Sequence, residues 1–231
     1  LCATLRDDPS LMPALAGLPL FYMLRGELRK GLETSRQLLS LAESIQDDGA
    51  ILEAHAIVGP MLMYLGEFNA AVEHFERTLA LYDPVKHGDH ALIYGQDPAV
   101  ASYVCLATTL WHLGYFDRSY KALQDGLALA NQLSHKYTLG FAYGFASHLS
   151  HMRRQPVETE QYGELGAQLS GSQGFQYMYV VSVMLRGWGI IQQRAATGDF
   201  RPGDLRPGTF APGDKAEIEQ ILAEMHDAFA H

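Results

Sequence analysis

A short turn sequence that returns at a nearly fixed interval limits this chain more than any other feature. Leu24-Arg25-Gly26-Glu27-Leu28 is echoed by Leu65-Gly66-Glu67-Phe68 and by Leu113-Gly114-Tyr115-Phe116. Weaker copies follow at Met152-Arg153-Arg154-Gln155-Pro156 and at Gln192-Gln193-Arg194. The marker residues 26, 66, 114, 154 and 194 are spaced 40, 48, 40 and 40 apart. The long interval holds an insertion running from His87 to Pro98. Self-similarity at such a period marks a chain built from stacked supersecondary units, each too small to bury its own apolar face.

Within a period the apolar pattern is helical twice. Phe68, Ala71, Val72, Phe75, Leu79 and Tyr82 fall at steps of three and four, as do Leu52, Ala56, Gly59, Leu62 and Leu65 ahead of the turn. The third unit repeats this with Tyr103, Leu106, Ala107 and Leu110, then Phe116, Ser119, Leu123, Leu127 and Ala130. Gly59, Ala107, Ser147 and Gly187 share one equivalent position, and Ala71 and Ser119 another. Residues this small are what two helices need where they approach closely. Asp83-Pro84 closes one second helix, because proline cannot continue the hydrogen-bond ladder.

The order of small, bulky and glycine positions, with Gly59, Gly66, Phe68, Ala71, Phe75 and Pro84 in the clearest unit, resembles the tetratricopeptide repeat. Its usual period is about 34 residues, so these repeats are long. The expected fold is all-α: a right-handed superhelix, or solenoid, of about five antiparallel helix hairpins. Over residues 15–195 the chain also resembles the C-terminal repeat region of large bacterial signalling proteins. Those carry a class III adenylate/guanylate cyclase or regulatory domain, followed by an AAA-type ATPase. The residues behind this second likeness are Leu79-Ala80-Leu81-Tyr82-Asp83-Pro84, Tyr94-Gly95-Gln96-Asp97-Pro98, Leu110-Trp111-His112-Leu113-Gly114-Tyr115 and Leu185-Arg186-Gly187-Trp188. It implies a non-catalytic interaction or sensor module that regulates upstream domains, and a cytoplasmic, bacterial setting. The chain opens at Leu1 without a start methionine or signal peptide and reads as a piece of something longer.

Three segments are expected: repeats over 1–195, a loop over 196–214 and an amphipathic end helix over 215–231. The loop contains Pro202-Gly203, Pro207-Gly208 and Pro212-Gly213, each a turn signal. In the end helix Asp214 and Glu217 supply a cap, and Ile218, Ile221, Leu222, Met225 and Phe229 an apolar stripe. That helix either completes the fifth hairpin or caps the array.

Charge and motif content exclude several functions. With 17 Lys+Arg against 26 Asp+Glu the formal charge is −9, the wrong sign for holding a phosphate backbone, so no nucleic-acid partner is expected. No apolar run reaches the roughly 20 residues a membrane span needs. Two cysteines make no disulfide framework, and Cys105 in an apolar helix reads as a small buried hydrophobe. No phosphate-cradling Gly-x-x-x-x-Gly-Lys-Ser/Thr, Gly-x-Ser-x-Gly, His-Glu-x-x-His or Cys-x-x-Cys is present, so neither catalysis nor a cofactor is expected. Glu158 and Glu160 read as a solvated helix face.

In tetratricopeptide arrays the first helices line a concave groove. Carried over, that geometry makes Tyr64, Trp111, His112, Phe141, His148, His151 and Trp188 groove candidates, along with Met63, Met152 and Met184. The five lysines lie outside the expected first helices, so no lysine clamp for a terminal carboxylate is formed. An aromatic wall suits a protein or peptide segment, the upstream ATPase domain included, or an apolar small molecule. Such a stripe is more often core between stacked helices than a binding surface, so most of these residues are expected to be packed, with a minority lining a groove. A purely structural role in oligomerisation is a further reading.

Two histidine pairs stand out. His148 and His151 are three apart on one helix, a spacing that can serve a metal, yet no third ligand sits in the same turns and no metal is expected. His87 and His90 flank Asp89 in the insertion, which reads as a solvated loop. Within that insertion Tyr94, Gln96 and Asp97 are candidates for ligand contact. Asp97 can instead cap the helix that starts at Pro98.

Overall fold

The computed structural model describes residues 12–197 and Ala223; the Pro-Gly segment and the expected end helix fall otherwise outside the described residues. Among the described residues there are ten helices and no strand: α1 (Met12–Leu24), α2 (Leu28–Ile45), α3 (Asp48–Tyr64), α4 (Phe68–Leu81), α5 (His90–Ile93), α6 (Pro98–His112), α7 (Phe116–Leu133), α8 (Lys136–Met152), α9 (Pro156–Gln173) and α10 (Gln176–Thr197). The chain divides into two compact units, one reaching to Thr138 and the other beginning at Leu139.

In the first unit the helices pair as α1/α2, α3/α4 and α6/α7. α2 also lies on α3, and α4 on α6. Leu38 and Ala42 of α2 thus meet Ala50 and Ala54 of α3 in one buried cluster, with Met12 of α1 beneath. α2, α4 and α7 each bury one stripe, whereas α3 and α6 are apolar on most sides because they lie between second helices.

The recurring turn has a single backbone geometry. Gly26, Gly66 and Gly114 have φ of 74°, 80° and 84°, the left-handed region where a Cβ is costly. At each, the residue's N–H donates to the carbonyl three back, and the next N–H donates to the carbonyl five back: Gly66 to Met63 and Glu67 to Leu62, for instance. This is the Schellman closure that satisfies the last carbonyls of a helix. Arg154 makes the same pair of bonds at φ 58°, with no glycine to ease it. The marker at 194 has no such turn. α10 continues through Arg194 to Thr197, since Gln192, Gln193, Arg194, Ala195 and Ala196 include neither glycine nor proline to stop it.

The small positions do what close packing requires. Phe75 of α4 is fully buried against Gly59 of α3, where an added Cβ would stand 2.7 Å from Phe75 Cδ1. One repeat on, the Ser119 hydroxyl donates to the Ala107 carbonyl at 2.6 Å. In the second unit the Ser147 hydroxyl donates to the Thr159 carbonyl at 2.8 Å, tying α8 to α9. There α9 packs along α10, and a Cβ at Gly163 would come within 2.9 Å of the Arg186 backbone nitrogen.

Candidate functional site

The insertion between α4 and α6 is folded down, not solvated. It forms the one-turn helix α5, and His87 is buried. The Asp83 N–H donates to His87 Nδ1 at 3.0 Å, and the His90 ring lies 5.0 Å from that of His87. His90 Nδ1 shares a 2.7 Å hydrogen bond with Oε1 of Glu53, a carboxylate only 4% exposed in the middle of α3. Burial pushes the Glu53 carboxyl up to about 7. The bond to Glu53 raises His90, while burial lowers His87. A loop carrying two histidines and an aspartate reads as solvated in sequence. Glu53, 37 residues earlier, supplies the partner that makes burying it tolerable.

Asp97 is wholly buried and fully engaged. One oxygen accepts the Val100 N–H at 2.9 Å as the α6 cap, and the other accepts the Tyr82 hydroxyl at 2.8 Å. Its own N–H donates to the Thr138 hydroxyl at 3.0 Å. Asp97 therefore joins the end of α4 to the start of α6 and to Thr138 near the start of α8. Tyr94 is half-buried with its ring 5.4 Å from His90, and burial pushes its phenol up to about 12. Gln96 Nε2 is buried without a hydrogen-bond partner among the described residues.

The groove candidates of the first unit sit at the ends of the first helices, beside the Schellman turns. Tyr64 is 47% exposed at the end of α3, while Met63 beside it is buried. Trp111 is half-buried with its ring 4.5 Å from Phe116, and His112 stacks on Phe68 at 4.9 Å and 4°. Tyr115 and Phe116 are exposed, with the Arg118 guanidinium 5.4 Å from the Tyr115 ring. The candidates are thus split between packing and exposure within a few residues.

In the second unit, Phe141 packs on Phe145 at 4.6 Å, and Met184 is exposed on α10. His151 meets Trp188 edge-on at 4.4 Å, and His148 lies 6.4 Å from His151. His151 Nδ1 is buried with no hydrogen-bond partner among the described residues, and burial lowers the ring's affinity for a proton. Among the described residues no three His, Cys, Asp or Glu side chains converge as metal ligands. Glu158 and Glu160 are not plainly solvated: Glu158 pairs with Arg153 at 3.2 Å and Glu160 accepts from Gln193. Lys136 opens α8, so one lysine does stand on a first helix. Cys105 is 2% exposed, and burial pushes its thiol up to about 12.

A pair that sequence inspection misses lies between α3 and α4. Nδ1 of His55 and Nδ1 of His74 are 2.9 Å apart, so one ring donates and the other accepts. Burial, and then the charges of His74 and Arg77, bring His55 down to about 4. The 19-residue separation matches no metal motif, which hides the pair in the sequence. Among the described residues no helix is long and apolar enough to cross a membrane.

No family model matches the sequence, and no curated protein matches it. Solved structures do. A Rap protein crystallised with competence and sporulation factor aligns over 92% of this chain at 14% identity, with a TM-score of 0.67. The chain spans 54% of that protein's length. BtubC (BKLC) from P. vanneervenii aligns over 99% of this chain and 85% of its own at 15% identity, TM-score 0.64. A Podosopora anserina kinesin light chain with nearly identical TPR-like repeats aligns over 97% of both chains at 14% identity, TM-score 0.56. The fold is therefore an all-α arrangement of tetratricopeptide-like helical repeats.

Proposed function

We propose that this chain is a non-catalytic interaction module, the repeat arm of a larger bacterial signalling protein of ATPase or cyclase type. It engages a protein or peptide segment, and through it adjusts the upstream domains. One observation carries the reading. Aromatic residues on either side of the recurring turn are left partly open to solvent, Tyr64 at the end of α3 at 47% and Phe116 at the start of α7 at 55%, although α3 and α6 bury most of their other residues. Exposed Tyr and Phe beside an arginine have the composition of interface hot spots. The Rap protein, similar in fold, was crystallised with a competence and sporulation factor, which makes peptide capture a reasonable use for this scaffold.

The test uses the full-length parent protein. Deleting the repeats should abolish inducible control of its ATPase or cyclase output. Unchanged, still-inducible output overturns the reading. Within the chain, Tyr64→Ala and Phe116→Ala should weaken partner capture together while leaving helical content intact.

A further inference from the structure

Two neighbouring helices meet solvent in opposite ways. Every exposed residue of α2, from Arg29 to Ser44, is charged or polar, as the outer face of a surface helix should be. Every exposed residue of α1 is apolar: Ala14, Gly17, Leu18, Leu20, Phe21 and Leu24. Met12–Leu24 contains no charged side chain at all. A helix that closes a stack of repeats needs a polar outer face, and α1 has none.

The repeat register shows which of these exposures is unusual. Residues of α1 stand 40 positions before their equivalents in α3, as Gly26 stands before Gly66. Ala14, Gly17, Leu18 and Phe21 form one stripe at steps of three and four, and their equivalents are Ala54, Ile57, Val58 and Met61. α2 lies over that stripe of α3. Ala54 is in the buried cluster with Leu38 and Ala42, Ile57 packs against the same cluster, and a Cβ on Gly31 would stand 2.9 Å from Met61 Sδ. Val58 and Met61 are 0% and 2% exposed, whereas Leu18 and Phe21 are 39% and 52% exposed. In α6, on which α4 packs, the equivalents Ser102, Cys105, Leu106 and Thr109 are all buried. Leu24 is different, because its equivalent Tyr64 is exposed as well. One stripe is thus covered on two first helices and bare on a third.

We infer that the stripe from Ala14 to Phe21 is a docking face for the second helix of a further repeat, seated on α1 as α2 is seated on α3. The sequence ahead of α1 carries the register of that neighbour. Leu1, Asp7 and Asp8 repeat Leu41, Asp47 and Asp48 at the 40-residue interval, and Cys2, Thr4, Leu5 and Leu11 match Ala42, Ser44, Ile45 and Ile51 in character. Residues 41–45 end α2, so Leu1–Leu5 has the sequence of the occupant's last turn. What α2 offers α3 defines the rest of the occupant. It is an amphipathic helix with a glycine or alanine opposite Phe21, as Gly31 is opposite Met61, and a leucine seven residues further on, as Leu38 is. Its other face is charged. Phe21 is bulkier than Met61, so the small residue matters more here than between α2 and α3. Neither Tyr64 nor Phe116 belongs to the stripe, and the inference does not depend on the activity of the parent protein.

The test adds that helix to the whole chain. A copy of Leu28–Ser40 fused directly ahead of Leu1 completes a helix of the length of α2 in the repeat register. The fusion should raise the thermal midpoint by at least about 4 °C and cut the binding of an apolar-surface dye about twofold. Phe21→Asp should abolish both effects in the fused chain, yet move the midpoint of the unfused chain by less than about 2 °C, because the ring there is half in water. Gly31→Trp made only in the copied segment should also remove the gain. Circular dichroism verifies that each variant folds. Three results overturn the assignment: no gain from the fusion, an equal gain when the copied residues are scrambled, or a dimer of the unfused chain in light scattering that Phe21→Asp splits, which would give the face to a second copy.

Discussion

The Phe75 ring fills the space where any other residue at 59 would carry its side chain. The contact is the meeting point of α3 and α4, and it sets how near the two helices come. Adding a methyl there must move an aromatic ring that is 0% exposed. Overpacking of this kind costs about 1–3 kcal/mol, against a gain of about 1 kcal/mol for replacing glycine within a helix. Gly59→Ala should therefore lower the urea midpoint, and Gly59→Ala/Phe75→Leu should recover part of the loss. A midpoint at or above the parent's would show that the ring moves freely.

Asp97 is expected to be the most sensitive residue of the insertion. Asp97→Ala removes the α6 cap, worth about 1–2 kcal/mol, and strands the Tyr82 hydroxyl in a part-buried site. Asp97→Asn retains an oxygen for the Val100 N–H and should cost less. Equilibrium denaturation of the two variants beside Tyr82→Phe checks the order.

Arg154 occupies a left-handed turn position that glycine holds in the three equivalent hairpins. A non-glycine residue there costs about 1 kcal/mol. Arg154→Gly should raise the thermal midpoint by a few degrees. The same replacement in reverse, Gly66→Arg, should lower it.

The buried acid–imidazole pair gives stability a direction with pH. Glu53 holds its proton in the folded chain up to about 7, whereas the unfolded chain releases it near the ordinary carboxylate value. His90 is likewise raised by its partner. Both groups bind protons more tightly when folded, so their contribution is largest in acid and is lost as pH rises from about 4.5 through 7 and beyond. His55 works the other way. Its folded value of about 4 lies below the unfolded one, so stability falls as pH drops from about 6.5 toward 4. Glu53→Gln should flatten the alkaline side of the stability profile and His55→Gln the acid side. Urea denaturation from pH 4 to 8 reads both slopes, and a Glu53→Gln profile parallel to the parent's contradicts the assignment.

What could be read from the chain was whatever is local. Glycine at 26, 66 and 114 marks a turn because backbone conformation there depends on one residue, and Asp97-Pro98 marks a helix start for the same reason. The false turn at 194 came from matching the interval without a residue able to break the helix. Glu53–His90 and His55–His74 were hidden because 37 and 19 residues separate the partners. A sign of the first was present: Glu53 is an acidic residue amid Ile51, Leu52 and Ala54, where an acid is tolerated only if something meets it. Which aromatics would stay exposed also depends on neighbouring helices. Met63 and Tyr64 are adjacent in sequence and opposite in burial.

The folded insertion also bears on how force would travel through the first unit. Glu53 anchors it to α3, Tyr82 and Asp83 to the end of α4, and the Asp97–Thr138 bond to the start of α8. A row of hairpins joined only by apolar contact can shear a little at every joint. Here the insertion adds directional bonds to three neighbouring helix ends, so sliding at this joint has to break them as well as part apolar surface.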